Sequence, residues 1–549
     1  MAAAEGIFDY IVVGGGIAGC ALASLLSKSK SSPSILLIEA GPDVSGHPLT
    51  QSPLGCFAAH GSDIDWNYKT VPQPHLNDRS LYEAGGKALG GGSATNYATW
   101  TRGPKVDYDR WGKLVGDARW TYNGLLPYFD KIEKDHISTV AISKSHPDRK
   151  SPLRDQVLKA WLDLRLSQIE NANVGEPLGV GEVVENLKEG KRQLASAAFD
   201  LRDVKVMTET AAQKVLLENR QGKLTAVGVQ IHGERHFLAS KEVILSAGAF
   251  RTPQLLMLSG IGPAADLEEA NIPTQLDLPG VGLNFHDHLL VGFAFRLKNP
   301  SLGLAMGGVA GPWAEPAHQL GLPVDWVVTE NVPRSFLEEA VKKDMVGDSS
   351  GDGDTYPVSL LDSESVHLES IMMYAPGGLP ITNLHVPFDG THIGAVVGVM
   401  SPTSRGRIGL SSSSALDPPV IDPNYNATNV DRALMRYGIR RLLQAVQHSM
   451  SDVVESENPP PSFEALSYTS SDSAIDARVR SEARTFFHAA GTASMGPVVD
   501  TQLRVKGIDG LRVVDASVIP IPIGAHLQAA TYAIAAQAAD MITQENGRR

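Results

Sequence analysis

Cysteine is nearly absent: the 549 residues contain two, Cys20 and Cys56. Two thiols cannot build a disulfide-dense scaffold or a cysteine-only four-ligand metal site. Cys20 follows a glycine motif and reads as a small packing residue. Cationic blocks are missing too. The formal charge is -13, and no concentrated positive stripe offers a groove to a nucleic-acid backbone, so nucleic acid is not expected as a partner. No apolar run of about 18 residues free of polar breaks stands out as a membrane helix; the richest one, near the C-terminus, is interrupted by Gln528, Gln537 and Asp540. The start, "MAAAEGIFDYIVVGGG", lacks a cationic segment followed by an apolar core and a cleavage site, so no signal peptide is expected. The expectation is a soluble protein, cytoplasmic or otherwise intracellular, with no membrane partner. The sequon Asn426-Ala427-Thr428 is then expected to be unused. Repeats and coiled-coil heptads are also lacking.

What is present begins at residue 8. "FDYIVVGGG" (8–16) is a short β run ending in glycines, Ile17 to Leu26 continue as a helix, and "SILLIEAG" (34–41) is a second β run carrying Glu39. Gly14, Gly16 and Gly19 occupy the G-x-G-x-x-G positions, and the acid follows twenty residues after the last glycine. The glycines permit a tight turn and close approach of a pyrophosphate to a helix N-terminus, and Glu39 can accept hydrogen bonds from a ribose. These residues grip an ADP half and do not choose between NAD and FAD.

A chain of this length is expected to form two or more domains. "GGKALGGGSATNYATWTRG" (85–103) is too glycine-rich for an ordinary helix and too apolar for a linker, as backbone passing close to something flat or bulky would be. A helical section follows, with Trp111 and Trp120 as core anchors. Between 204 and 246 β-like runs return, ending in "KEVILSAGAF"; Pro253 in the next segment suits a helix start. This return suggests one domain assembled from separated segments. A Gly/Asp/Ser-rich stretch within 337–359 reads as a solvated loop. β-prone runs at 381–400 and 407–410 and a helix from about 429 to 449 point to a second, sheet-containing domain. Near the end, "LRVVDAS" reads as a strand ending at Asp515. From His526 onward an Ala-rich helix begins, and its positive N-terminal end could meet an anion or an electron-rich ring edge.

Five blocks together resemble the glucose-methanol-choline (GMC) oxidoreductase family, in the family's order and over nearly the whole chain. They are "YIVVGGGIAGCALA" with "LLIEAG", "GGKALGGGSATNYATWTRG", "GAFRTPQLLMLSGIGP", "LPGVGLNFHDHL", and "FFHAAGTASMG" through "AHLQAATYAIAAQAADMI". The resemblance implies an α/β fold. A Rossmann-type FAD-binding domain would be assembled from 1–155, 200–300 and 476–549, the last carrying the catalytic histidines. A second, α+β substrate domain with an antiparallel sheet would come from 156–199 and 301–475.

The resemblance also implies that the cofactor is FAD. Gly14, Gly16, Ile17, Ala18, Gly19, Glu39 and Ala40 would hold its ADP part. Leu89, Gly90, Gly91, Ser93, Asn96, Tyr97 and Ala98 would wrap the isoalloxazine and pyrophosphate. Ala212, Ala247, Asp515, Ala516, His526, Leu527 and Gln528 would complete the site. Some members attach the flavin covalently to a histidine; Thr95 stands at that place here, which implies non-covalent FAD.

His488 and His526 match the family's active-site pair, both histidine as in its aryl-alcohol oxidase and glucose oxidase members. Read without the resemblance, His526 could simply cap its own helix and His488 could be a buried histidine bonded to backbone. An alcohol gives up hydride readily only as its oxygen loses the proton, and an imidazole with an ordinary pKa of about 6.5 suits that task. His488 is the expected base, and His526 the residue that orients the same oxygen. Phe486, Phe487 and Trp100 are candidate walls for the substrate; core packing is the other reading for one of the two phenylalanines, and the stronger one for Trp100. His286 and His288 in "FHDH" superficially invite a metal; two ligands and one carboxylate are too few, so no metal site is expected, and the pair reads as structural or supporting.

The function implied is an FAD-dependent alcohol oxidase acting on a primary, aromatic or natural-product alcohol, with hydride passing to flavin N5 and oxygen reduced to peroxide. A dehydrogenase using another acceptor, a lyase or isomerase that retains FAD, and a flavin-binding structural protein stand as alternatives. Partners are then a small alcohol and an electron acceptor, and homo-oligomerisation is left open.

Overall fold

The computed structural model describes residues 4–347, 356–376 and 386–546. Residues 348–355 of the expected solvated loop and 381–385 of the first β-prone run lie outside them.

The glycine turn is held by a seven-stranded sheet. Its strands run in the order Lys205–Met207, Ile35–Ile38, Ile7–Val13, His236–Leu245, Lys223–Ile231 and Ala212–Arg220. Leu511–Val513 pairs with His236–Leu245 as well. That ten-residue strand has room for two partners on one side: its first residues pair antiparallel with Lys223–Ile231, and Val243 to Leu245 pair parallel with Leu511 to Val513. The half of the sheet around Ile7–Val13 is parallel. Parallel strands covered on both faces read as continuous apolar runs, and Ile11, Val12, Leu36 and Leu37 are fully buried. The helix Ile17–Ser27 packs on the last helix, Gln528–Asn546. The alanines of that last helix, from Ala529 to Ala538, are buried on all sides, as expected of a helix without a polar face.

The second seven-stranded sheet is antiparallel throughout, in the order Val454–Glu457, Leu289–Leu297, His392–Val399, Leu368–Met373, Val324–Glu330 and Gly179–Glu182. Arg484–Thr485 also pairs with Leu289–Leu297. The helix Asn429–Ser449, capped by the Thr428 hydroxyl at Asp431 N–H, packs against this sheet. The molecule is thus an α/β fold with a dinucleotide-binding type of sheet and a second, sheet-containing domain.

One expectation is corrected. Pro253 does not start its helix; it lies inside Gly248–Leu258. A proline there cannot donate to the carbonyl four residues back, that of Ala249. The buried Thr492 hydroxyl donates to that oxygen instead, at 2.6 Å, so the helix continues.

Candidate active site

A cavity of about 390 Å³ runs between the two sheets, with the glycine turn in its wall and His488 and His526 in the same wall system. At the turn the glycines have different tasks. Gly14 has φ +104, and a Cβ there would lie 2.3 Å from the Ser246 carbonyl oxygen. A Cβ on Gly16 would meet only Gly91 Cα, at 3.9 Å, so this backbone opens on the cavity. Gly19 allows the helix to touch the turn, since its Cβ would collide with Gly14 O at 1.9 Å. Glu39 accepts from Gly15 N–H at 2.8 Å and Gly41 N–H at 2.7 Å, one bond on each carboxylate oxygen. Acceptor capacity is left on both oxygens. Burial pushes this carboxyl up to about 7, against its two backbone donors.

Ile17, Ala18, Ala40, Gly91, Ala98, Ala212, Ala247, Ala516 and Leu527 line the same cavity. Asn96 does too, and is fixed from behind: the buried Arg192 guanidinium donates to its Oδ1 at 2.9 Å, and its Nδ2 donates to Gln528 Oε1 at 3.2 Å. Gln528 in turn donates to Thr99 O. Tyr97 presents its ring to the cavity and stacks on His60 at 5.3 Å. Asp515 lines the cavity as well, yet Gly248 N–H, the Thr252 hydroxyl, and the N–H and hydroxyl of Ser517 occupy its carboxylate. Its side chain therefore braces two helical starts.

Gly19, Leu89, Gly90, Ser93 and Trp100 pack against the residues that line the cavity. Gly19 packs helix on turn. Gly90 N–H donates to Gly15 O, Leu89 N–H to Pro42 O, and the Ser93 hydroxyl to Gly90 O at 2.6 Å, which shapes the loop that Gly91 presents. Trp100 is buried: its indole N–H donates to Glu133 at 2.8 Å, and its ring stacks on Tyr532.

The histidines come from two places. His526 lies two residues before the start of the last helix, and its N–H donates to the Thr101 hydroxyl. His488 follows Arg484–Thr485, which pairs with Leu290–Leu289. Thr485 faces Leu289 and Ala490 faces His286, so five steps on one strand oppose three on the other. Phe487, at φ +65, sits in this bulge. A bulge re-aims side chains, and a bulky residue in the left-handed region persists only where its surroundings fix it. Here the Thr485 hydroxyl accepts from Phe487 N–H, and Asp287 Oδ1 accepts from His488 N–H at 2.7 Å.

The result brings His488 and His526 together, with ring centroids 4.7 Å apart. Phe486 stacks on His488 and meets His526 edge-on, while Phe487 packs on His60; both phenyls line the cavity. Burial first, then His526 and His288, hold the His488 imidazole well below the usual histidine range.

Sequence reasoning missed Glu369. Its Oε1 lies 2.7 Å from His526 Nε2. On the strand Leu368–Met373, Glu369, Ile371 and Met373 share one face by alternation, and the latter two line the cavity. A lone acid in a buried apolar run was the available signal, because such a group needs a partner. His286 and His288 form no metal cluster among the described residues.

Residues 8–290 and 402–535 match the family described as GMC oxidoreductase. The chain is 41% identical to the GMC-type oxidoreductase acuG of Aspergillus aculeatus, covering 97% of this chain and 99% of that protein. It is 34% identical to an alcohol dehydrogenase (acceptor) of Pseudomonas putida, covering 98% and 96%. Among solved structures, formate oxidase of Aspergillus oryzae RIB40, studied for modification of its FAD, superposes with a TM-score of 0.85 at 29% identity, with full coverage of both chains. The open glycine turn, the free acceptor sites of Glu39 and the continuous cavity fit such a cofactor. The chain belongs to the GMC oxidoreductase family, and its cofactor is FAD.

Proposed function

We propose that the protein oxidises a primary alcohol to the aldehyde. The observation that carries this reading is the His488–His526 pair, 4.7 Å apart in the wall of the cavity that also contains the glycine turn. In this reading Gly14, Gly16 and Glu39 hold the ADP end of FAD, and Asn96, Tyr97, Ala98 and Gln528 flank its ring end. When bound, FAD supplies the acceptor for the hydride that leaves the alcohol carbon.

The remaining work belongs to the chain. His488, kept neutral by burial, has a lone pair for the hydroxyl proton. His526, tied to Glu369 through Nε2, turns Nδ1 toward the same oxygen and fixes which hydrogen of the carbon is presented. The alcohol thus loses a proton to His488 and a hydride from carbon, and the carbonyl forms. Leu290, Leu322, Val324, Ile371, Met373 and Val396, with the Phe486 and Tyr97 rings, make an apolar wall. Such a wall suits an aromatic or otherwise apolar alcohol, including one drawn from a natural product. Two electrons and two protons then pass to oxygen, giving hydrogen peroxide. A second reading replaces oxygen by another acceptor, supported by the alcohol dehydrogenase (acceptor) likeness.

The test is an anaerobic spectral screen of the FAD-bound protein against aromatic, aliphatic and sugar alcohols, followed by air. Bleaching by an apolar primary alcohol, with colour and peroxide returning in air, is the expected result. Bleaching without return in air selects the second reading. No bleaching by any alcohol overturns both and favours a lyase or isomerase.

A further inference from the structure

His288 Nδ1 and His488 Nδ1 lie 2.9 Å apart. The His288 ring is buried and the His488 ring half-buried at the cavity wall, and they meet because Asp287 Oδ1 accepts from both backbone N–H groups, His288 at 2.8 Å and His488 at 2.7 Å. The other oxygen, Oδ2, accepts from the Thr485 hydroxyl at 2.6 Å and the Tyr425 hydroxyl at 2.5 Å. This carboxylate fills its acceptor sites and clamps two strand segments in the bulge.

A nitrogen-to-nitrogen contact of this length needs one proton between the two atoms, so one imidazole donates and the other accepts. The alcohol-oxidation reading sets the direction: a His488 that takes the substrate proton on Nε2 must carry its own proton on Nδ1, and His288 Nδ1 is the acceptor within reach at 2.9 Å. The His288 proton then sits on Nε2.

We infer that His288 is a positioning residue that holds the proton of His488 on Nδ1, which leaves His488 Nε2 unprotonated and ready to take a proton from the substrate. With the tautomer reversed, His488 Nε2 would carry hydrogen and could only donate. The same logic governs a histidine base held by a hydrogen-bond partner at its other nitrogen. The relay rests on the alcohol-oxidation reading, and the proton positions can be read apart from it.

Neutron diffraction from deuterium-exchanged crystals of the oxidised, FAD-bound protein reads the relay directly. Deuterium on His488 Nδ1 and on His288 Nε2 is expected; deuterium on His288 Nδ1, with His488 Nδ1 bare, overturns the inference. Two variants add a kinetic arm. His288→Asn keeps an acceptor near the Nδ1 position, whereas His288→Leu removes it, and FAD absorbance with thermal unfolding identifies any misfolded sample. Among folded variants, Asn should keep the rate of anaerobic bleaching within about tenfold, and Leu should lose about 10–100-fold in kcat with little change in KM. Equal losses in both would mean that His288 only packs, against the inference. If no alcohol bleaches the wild-type flavin while the deuterium map is as expected, the functional reading fails and the proton positions stand.

Discussion

Glu369 Oε1 accepts a hydrogen bond from Nε2 of His526 at 2.7 Å, across 157 residues of chain. The bond fixes both the proton and the ring plane, and leaves Nδ1 as the nitrogen not engaged by Glu369. Glu369→Gln keeps the shape and removes the charge. Misplacement of a reacting group costs up to about 100-fold in rate, so bleaching by a good alcohol should slow by about 10–100-fold with FAD retained. Stopped-flow absorbance under anaerobic conditions checks it.

The glycine turn separates folding from binding. At Gly14 an alanine meets Ser246 O at 2.3 Å and keeps φ +104, so Gly14→Ala should lower stability by about 1–3 kcal/mol. At Gly16 the nearest heavy atom is 3.9 Å away, so Gly16→Ala should fold normally and bind FAD poorly. Thermal unfolding of the apoprotein and the FAD-to-protein absorbance ratio distinguish the two.

Glu39 gives FAD retention a pH dependence. Burial pushes the free carboxyl up to about 7, and hydroxyl donors from a ribose would favour its ionised form and lower that value. Binding that prefers the ionised form strengthens as pH rises through about 7 and is lost as pH falls below it. Titrating apoprotein with FAD one pH unit below and one above that point should show weaker binding on the acid side. The Glu39→Gln protein should lose the dependence.

How far this was legible in the sequence depends on the range of the contact. Gly14, Gly16 and Glu39 lie in one strand-turn-helix-strand unit, where local spacing fixes geometry, and the structure places them together. His488 and His526 were joined only through family likeness, since no local period relates them. Glu369 was missed because its partner is distant in the chain, and only its standing as a lone acid among apolar residues pointed to it. Pro253 misled because the compensating hydroxyl, on Thr492, comes from another part of the chain. Trp100 reads from its own segment as wall or packing, because the partners of its indole, Glu133 and Tyr532, lie outside that segment.

The Thr492 hydroxyl has a measurable role of its own. Thr492→Val leaves the Ala249 carbonyl buried without its donor, which should cost about 1–3 kcal/mol. In a Pro253→Ala background, the restored backbone N–H can reach the same oxygen, and the cost of Thr492→Val should shrink. Denaturant unfolding of the four proteins closes the cycle.

The central claim is that His488 takes the proton at a FAD gripped by the distant glycine turn. Its most direct test is the anaerobic rate of flavin bleaching in His488→Ala, with an alcohol that bleaches the wild-type protein. The expected result is full FAD occupancy with a rate lower by about 10²–10⁴-fold. An unchanged rate with FAD bound would contradict the account.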